Sequence, residues 1–385
     1  MPYDFPSLED WGLPPVISEF CDAQQGLVLV TGPTGSGKSS TLAAMMKRIA
    51  TTRSDHIVTI EDPIEFLISD DLASVSQREI GIDTPSFAAA LRTVLRQDPD
   101  VIMVGEMRDE ETIRTVLTAA ETGHLVLSTL HTNSASQTID RIMTDFPEAS
   151  HRQLRQQLSA SLEGLVSMQL VPKASGEGMV AAVEIVRSSP RVAKLILDGE
   201  FQALDEEIES SVSYYKMQSM NQSLASLEIH GTITHETAMQ ASPNPGDLEL
   251  LLRKIIGTIN AEASLQGEEM AETTSDFSKI LELQEIRKRY DDMQEHHNEE
   301  LATRDRQIHE LRAELTQLAQ GGAAGDSEVE QLQAENQRLT EQIRKAQADY
   351  ESKLERLNRR MRDLSAQASS ESQPAEASRK GFFRR

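Results

Sequence analysis

The run Leu27-Val28-Leu29-Val30-Thr31-Gly32-Pro33-Thr34-Gly35-Ser36-Gly37-Lys38-Ser39-Ser40 joins a short apolar β-like stretch to the pattern G-x-x-x-x-G-K-[ST], and an Ala-rich helical stretch follows it. Strand, glycine loop and helix in that order are the context such a loop needs to hold phosphate. The glycines let the backbone turn closely, and the amides at the helix start meet phosphate oxygens with positive partial charge. The nucleotide-binding expectation therefore covers Gly32, Pro33, Thr34, Gly35, Ser36, Gly37, Lys38, Ser39 and Ser40. Lys38 is expected to reach the β and γ phosphates of ATP, and Ser39 to ligate Mg²⁺.

Downstream of this loop, short β-rich runs alternate with helical stretches, which predicts a mostly parallel sheet with crossover helices. The expected strands are Leu27 to Thr31, Ile57 to Ile60, Val101 to Val104, Leu125 to Thr129 and Val180 to Val186. The expected helices include Ser39 to Ala50, Ser86 to Arg96, Glu111 to Glu121 and His151 to Gln169. Residues 1–25 read as a lead-in segment and linker, with a turn at Leu13 to Pro15 and a short helix from Val16 to Cys21. An α/β core is expected over 26–186 and a helical subdomain over 187–260, with Pro190 in a first turn and Pro243 to Pro245 as a breaker.

A polar linker fills 261–276, and beyond it apolar residues recur at alternating spacings of three and four. That spacing predicts coiled-coil helices over 277–320 and 328–366, interrupted by a Gly-rich break at 321–327. Asn336 falls at a core position, where it would help set the register. A single charged helix with a narrow apolar stripe is the alternative. Residues 367–385 are expected to form a disordered tail ending in Arg379-Lys380-Gly381-Phe382-Phe383-Arg384-Arg385, which suits weak contact with an anionic membrane surface or simple solvation.

Bulk properties exclude several classes. The net charge of -24 over 385 residues argues against a surface built to bind nucleic acid. One cysteine, Cys21, excludes an intramolecular disulfide framework, and no Cys/His cluster suggests zinc. The longest apolar runs fall far short of the roughly 20 residues a membrane helix needs, and the N-terminus lacks the pattern of a signal segment. The expected compartment is the cytoplasm.

Hydrolysis also needs carboxylates to orient a water and hold a metal. Two acidic groups follow expected strands: Glu61-Asp62-Pro63-Ile64-Glu65, and Gly105-Glu106. Strand ends are where open α/β sheets bind ligands. His124 and His131 bracket the strand Leu125 to Thr129, so both are expected to face that edge.

These residues resemble the secretion and type IV pilus ATPases, most closely their PilT/PilU retraction branch, over about residues 7–250. The most specific stretch is Leu95-Arg96-Gln97-Asp98-Pro99-Asp100-Val101-Ile102-Met103-Val104-Gly105-Glu106-Met107-Arg108-Asp109, similar to the family's Walker B region. Thr59 to Glu65 resembles its Asp box, and Ala120 to His124 with Thr129 to Thr132 its His box. The resemblance implies a RecA-like P-loop NTPase core, an ATPase, and a homo-hexamer that works on a membrane platform protein at the pilus base to drive retraction. It also implies Glu65 as base for the attacking water, Glu106 as support for Mg²⁺, His131 as γ-phosphate sensor and His124 nearby.

Ser189 to Ile196 resembles the family's retraction-associated segment only in part, which suits an accessory role as in the PilU branch. The coiled-coil extension, outside the family pattern, is expected to bind a partner. The family's PAS-like domain precedes its motor, and this chain opens near the following linker, so a misassigned start or a fragment is expected. The alternatives are a pilus assembly or type II secretion ATPase, and a nucleotide-binding coiled-coil scaffold with weak hydrolysis.

Overall fold

The structure, a computed structural model, describes residues 5–263, Phe277 and isolated positions between 281 and 359. Strand β1 (Gly26–Thr31) is buried at every position, as an apolar run flanked by parallel strands and covered on both faces must be. The other strands are β2 (His56–Glu61), β3 (Ser74–Glu79), β4 (Val101–Val104), β5 (Leu125–Leu130), β6 (Leu162–Pro172) and β7 (Met179–Arg187). They form a seven-stranded sheet in the order β3-β2-β4-β5-β1-β6-β7. Every neighbouring pair is parallel except the hairpin of β6 and β7.

Helices cover both faces: α1 (Val16–Glu19), α2 (Lys38–Thr52), α3 (Phe87–Val94), α4 (Glu110–Glu121), α5 (Ala135–Thr144), α6 (Glu148–Ser161), α7 (Pro190–Asp198), α8 (Leu204–Ser210), α9 (Val212–Tyr215), α10 (Met220–Ile229), α11 (His235–Ala241) and α12 (Pro245–Ala263). Because side chains alternate along a strand, Val28 and Val30 pack on one face with Ile17, Met45 and Ile49. Leu27 and Leu29 point the other way, into a core shared with Leu91, Ile113, Ile139 and Leu158. Burying each such side chain contributes about 1.5–3 kcal/mol, so both layers hold the sheet. Compact units span Met1–Ile280 and Leu281–Arg385, and all the strands and helices named here lie in the first.

Local chemistry sets the helix starts. Ser86, Asp109, Ser134 and Ser189 each accept the N–H of the third helical residue of α3, α4, α5 and α7, satisfying a donor that has no partner inside the helix. Pro190 occupies the first turn of α7 as expected, and Gly199 closes that helix in the left-handed conformation. Ser219 and Gln222 form a capping box at α10.

Three expectations change. The helix expected over His151 to Gln169 stops at Ser161, and Leu162–Pro172 is β6. Leu154, Leu158 and Leu162 carry helical spacing across the boundary, but parallel pairing of Leu162 to Ser167 with β1 overrides it. Strand β3, absent from the expected set, is a polar edge strand (Ser-Val-Ser-Gln-Arg-Glu) with no apolar alternation to betray it. Helix α12 runs to Ala263, into the stretch read as linker.

Phe277, where a coiled-coil helix was expected to begin, sits in a turn and is buried, its N–H donating to Gln218 Oε1 at 3.0 Å. The expected coiled-coil seams, the Gly-rich break and the basic-aromatic tail lie outside the described residues. Isolated positions such as Ala334, Arg338 and Arg344 are helical and exposed. Among the described residues no helix is long and apolar enough to cross a membrane.

Gly164 of β6 offers a test of this packing, because a Cβ there would stand 2.5 Å from the Phe20 ring. Gly164→Ala is expected to lower stability by about 1–3 kcal/mol through overpacking. Urea denaturation checks it, and a midpoint equal to that of the unsubstituted chain would contradict the account.

Candidate functional site

Parallel register brings the ends of β1, β5, β4 and β2 to one edge of the sheet. Thr31 pairs with Leu130, Val104 with Ser128 and Ile60 with Val104, so the segments that follow these strands emerge side by side. They enclose a cleft of about 440 Å³ lined by Lys38, Ser39, Glu65, Gly105, Glu106 and His131 among others. That volume falls in the range of small-molecule sites.

The loop is built as its glycines require. Gly32 has φ +147°, and a Cβ on it would lie 2.2 Å from the Met168 carbonyl oxygen. Gly37, φ +98°, is the left-handed N-cap of α2. Lys38 Nζ donates to the carbonyls of Gly32 and Pro33 at 2.9 and 3.0 Å. Burial depresses the lysine's pKa, and the Glu106 and Glu65 carboxylates oppose that shift. Thr34, Gly35 and Ser40 also line the cleft, and the Ser36 hydroxyl is buried without a partner.

Both expected carboxylates reach the cleft with different companions. Glu65 Oε1 accepts from Ser39 Oγ at 3.1 Å. Glu106 Oε2 stands 3.5 Å from His131 Nε2, and its other oxygen pairs with Arg108. The Arg108 guanidinium holds the Glu106 carboxyl below its usual range, with His131 adding to the effect against a burial penalty. Glu61 is more deeply set: burial raises its pKa although Thr59 Oγ1 and Gln77 Nε2 donate to it at 2.6 and 3.0 Å.

His124 does not join them. It precedes β5 while His131 follows it, and a six-residue strand spans roughly 20 Å. Its ring Nδ1 donates to the Ala119 carbonyl at 3.0 Å, which ties off the end of α4 beneath the opposite edge of the sheet. The expectation that both histidines face one edge fails because they flank opposite ends of the same strand.

Arg108, within the Walker B-like stretch, carries no role that the sequence alone reveals. It bridges Glu106 and Asp62 Oδ2, the latter at 3.3 Å, and the signal was its position two residues beyond Glu106. Thr129, also unassigned, donates from Oγ1 to the Gly105 carbonyl at 2.6 Å and fixes the loop that carries Glu106.

The donor set fits a Mg²⁺ nucleotide. A cation, a hydroxyl and two carboxylates face one cavity beside a helix N-terminus, and the buried Ser36 hydroxyl awaits an acceptor. Among the described residues no cluster of three metal-ligating side chains occurs. Ser39, Glu65 and Glu106 are among the oxygen-bearing groups that line the cavity.

Fold and loop together define a RecA-like P-loop nucleotide-binding core. The profile described as type II/IV secretion system protein matches residues 15–223. The Pseudomonas aeruginosa type IV pilus retraction ATPase PilT is 46% identical over 239 residues, 62% of this chain and 69% of that protein. The type IV pilus ATPase PilU of the same organism is 41% identical over 250 residues, 65% of this chain and 65% of that protein. A crystal structure of the pilus retraction motor PilT with bound ADP superposes with a TM-score of 0.61 at 48% identity, covering 65% of this chain and 71% of that one. The chain belongs to the type II/IV secretion system protein family. It spans about two thirds of the length of these relatives.

Two measurements probe the site. His124→Ala is expected to leave nucleotide affinity within about twofold, whereas Lys38→Ala loses a charge-assisted contact and about tenfold or more; equal losses by calorimetry would contradict the placement of His124. Removing Arg108 takes away the cation that depresses Glu106, so in Arg108→Ala the Glu106 carboxyl is expected to titrate at higher pH. Carbon NMR of labelled glutamate reads the shift, and an unmoved midpoint would contradict it.

Proposed function

We propose that this chain is an ATP-hydrolysing motor that drives type IV pilus retraction. The observation that carries the reading is the gathering of Lys38, Ser39, Glu65, Glu106 and His131 around one cleft, in a chain 46% identical to a pilus retraction ATPase over 239 residues. The loop amides and Lys38 hold the phosphates, and His131, tethered to Glu106, reports whether the terminal phosphate is in place. Glu65 takes the proton of the attacking water on its carboxylate. When bound, Mg²⁺ neutralises phosphate charge, and Ser39 and Glu106 would hold it.

In this reading the chain acts as a homo-hexamer, peripheral to the inner membrane at the pilus base, against a platform protein. Residues 277–366 would bind a further partner. Similarity to PilU as well as PilT suits either a principal or an accessory retraction role.

One contact favours a second assignment with the carboxylates exchanged. Glu65, not Glu106, bonds the Ser39 hydroxyl, so Glu65 would stand nearer the metal and Glu106 would serve as base.

The full chain is expected to hydrolyse Mg²⁺·ATP, and Lys38→Ala to abolish turnover. Glu65→Gln and Glu106→Gln should each lower kcat about a hundredfold, the loss of roughly 3 kcal/mol. Replacing the base leaves the Mg²⁺ requirement unchanged; replacing the metal's carboxylate raises it about tenfold or more. Undiminished turnover in all three variants would defeat the motor reading, and a deletion strain that still retracts its pili fully, alone and under load, would defeat the retraction role.

A further inference from the structure

Behind the cleft, a second group of polar side chains is sealed between the sheet and the helices that follow it. Glu184 of β7 is buried on the sheet face that carries Val186, opposite to that of Val183 and Ile185. A carboxyl in such surroundings is costly unless its oxygens are answered by donors. Its Oε1 accepts the N–H of Ala135 at 2.7 Å, Ser167 stands directly across from it on β6, and the Ser167 side chain and the N–H of Met220 favour its ionised form. Burial, with repulsion from nearby Asp205, pushes its pKa up to about 7.

Ala135 and Met220 are the first residues of α5 and α10. First-turn amides have no acceptor inside their own helix. The caps Ser134 and Ser219 take the N–H groups of Gln137 and Gln222, which leaves that of Ala135 to Glu184, with that of Met220 favouring the same carboxylate. Two helix dipoles therefore converge on one acceptor.

The third partner leads to the phosphate loop. Thr31 Oγ1 donates to Ser167 Oγ at 3.0 Å, and Thr31 immediately precedes Gly32. Helix α5 begins shortly after His131. Helix α10 and the residues just before it are bound to the same strand by further contacts: the Gln218 backbone exchanges bonds with Ile185 at 2.8 and 3.2 Å, and Val183 N–H donates to Ser223 Oγ at 3.0 Å. Shifting any one of the three elements would strand a buried donor or acceptor.

We propose that Glu184 is a positioning residue that holds the phosphate loop, the His131 segment and helix α10 in register, so that nucleotide state passes from the cleft to α10. The proposal rests on the ATPase reading above. Glu184 is not among the residues lining the cleft; it acts through Ser167, Ala135 and Met220.

The test compares the full chain with Glu184→Gln, Ser167→Ala and the double variant, at pH 8 where the carboxylate predominates. Gln keeps the shape and replaces one acceptor by a donor. In Glu184→Gln, kcat is expected to fall about tenfold, with KM for ATP changed less than about twofold. Its melting temperature should stay within about 3 °C. Ser167→Ala alone should lower kcat about threefold and, because both cut one line, add nothing in the double variant.

An unchanged kcat in Glu184→Gln overturns the proposal, as does a joint collapse of kcat, KM and melting temperature, which marks a scaffold role alone. Should Glu184→Gln not fold, Ser167→Ala decides: an unchanged kcat there overturns the proposal. Absence of turnover in the unsubstituted chain defeats the ATPase reading instead. The coupling is then read by hydrogen exchange: ATP should protect α10 amides in the unsubstituted chain and not in Ser167→Ala, and equal protection in both overturns it.

Discussion

Parallel strand register is the constraint from which the rest of this molecule follows. Because β1, β5, β4 and β2 run in one direction and end at one edge, four separate sequence segments deliver their side chains to one place. The phosphate loop supplies one cation, Lys38, and its amides, and the segments after β2, β4 and β5 supply Glu65, Glu106 and His131. Reversing any of these strands would send its segment to the far edge, where His124 lies. The sheet holds this register through buried apolar layers on both faces, with Gly32 pressed so close to the Met168 backbone that a side chain has no room there.

Gathering carboxylates near a cleft has an electrostatic cost that the surrounding groups offset. Arg108 bridges Glu106 and Asp62, Ser39 donates to Glu65, and Thr59 and Gln77 donate to Glu61. The same carboxylates partly restore the basicity that burial removes from Lys38. An anionic nucleotide entering this site meets cations already partnered by protein acceptors. Its binding therefore exchanges one set of charge pairs for another, and that exchange is a natural source of movement in a motor. Glu184 shows the same economy deeper in the fold, where one carboxyl accepts from the start of α5 beside the start of α10.

Much of the site was legible in the sequence, because its signals are local. The glycine spacing of residues 32–39, the first-turn proline Pro190, and the apolar strand Val101–Val104 each depend on neighbours a few residues away. Strand β6 was hidden because Leu154, Leu158 and Leu162 continue a helical spacing that only pairing with β1 interrupts. Strand β3 was hidden because an edge strand facing solvent needs no apolar pattern.

By itself the sequence determined the phosphate loop, the alternation of strands and helices, and the acidic and histidine segments that accompany them, since turn chemistry and side-chain periodicity act over a handful of residues. Tertiary structure alone decided that His131 shares the cleft while His124 does not, that Glu65 bonds Ser39, and that Thr31 meets Ser167 across the sheet. Those relations depend on which strands lie side by side and in what register. That choice is made by burial of the whole core, to which residues distant along the chain contribute together.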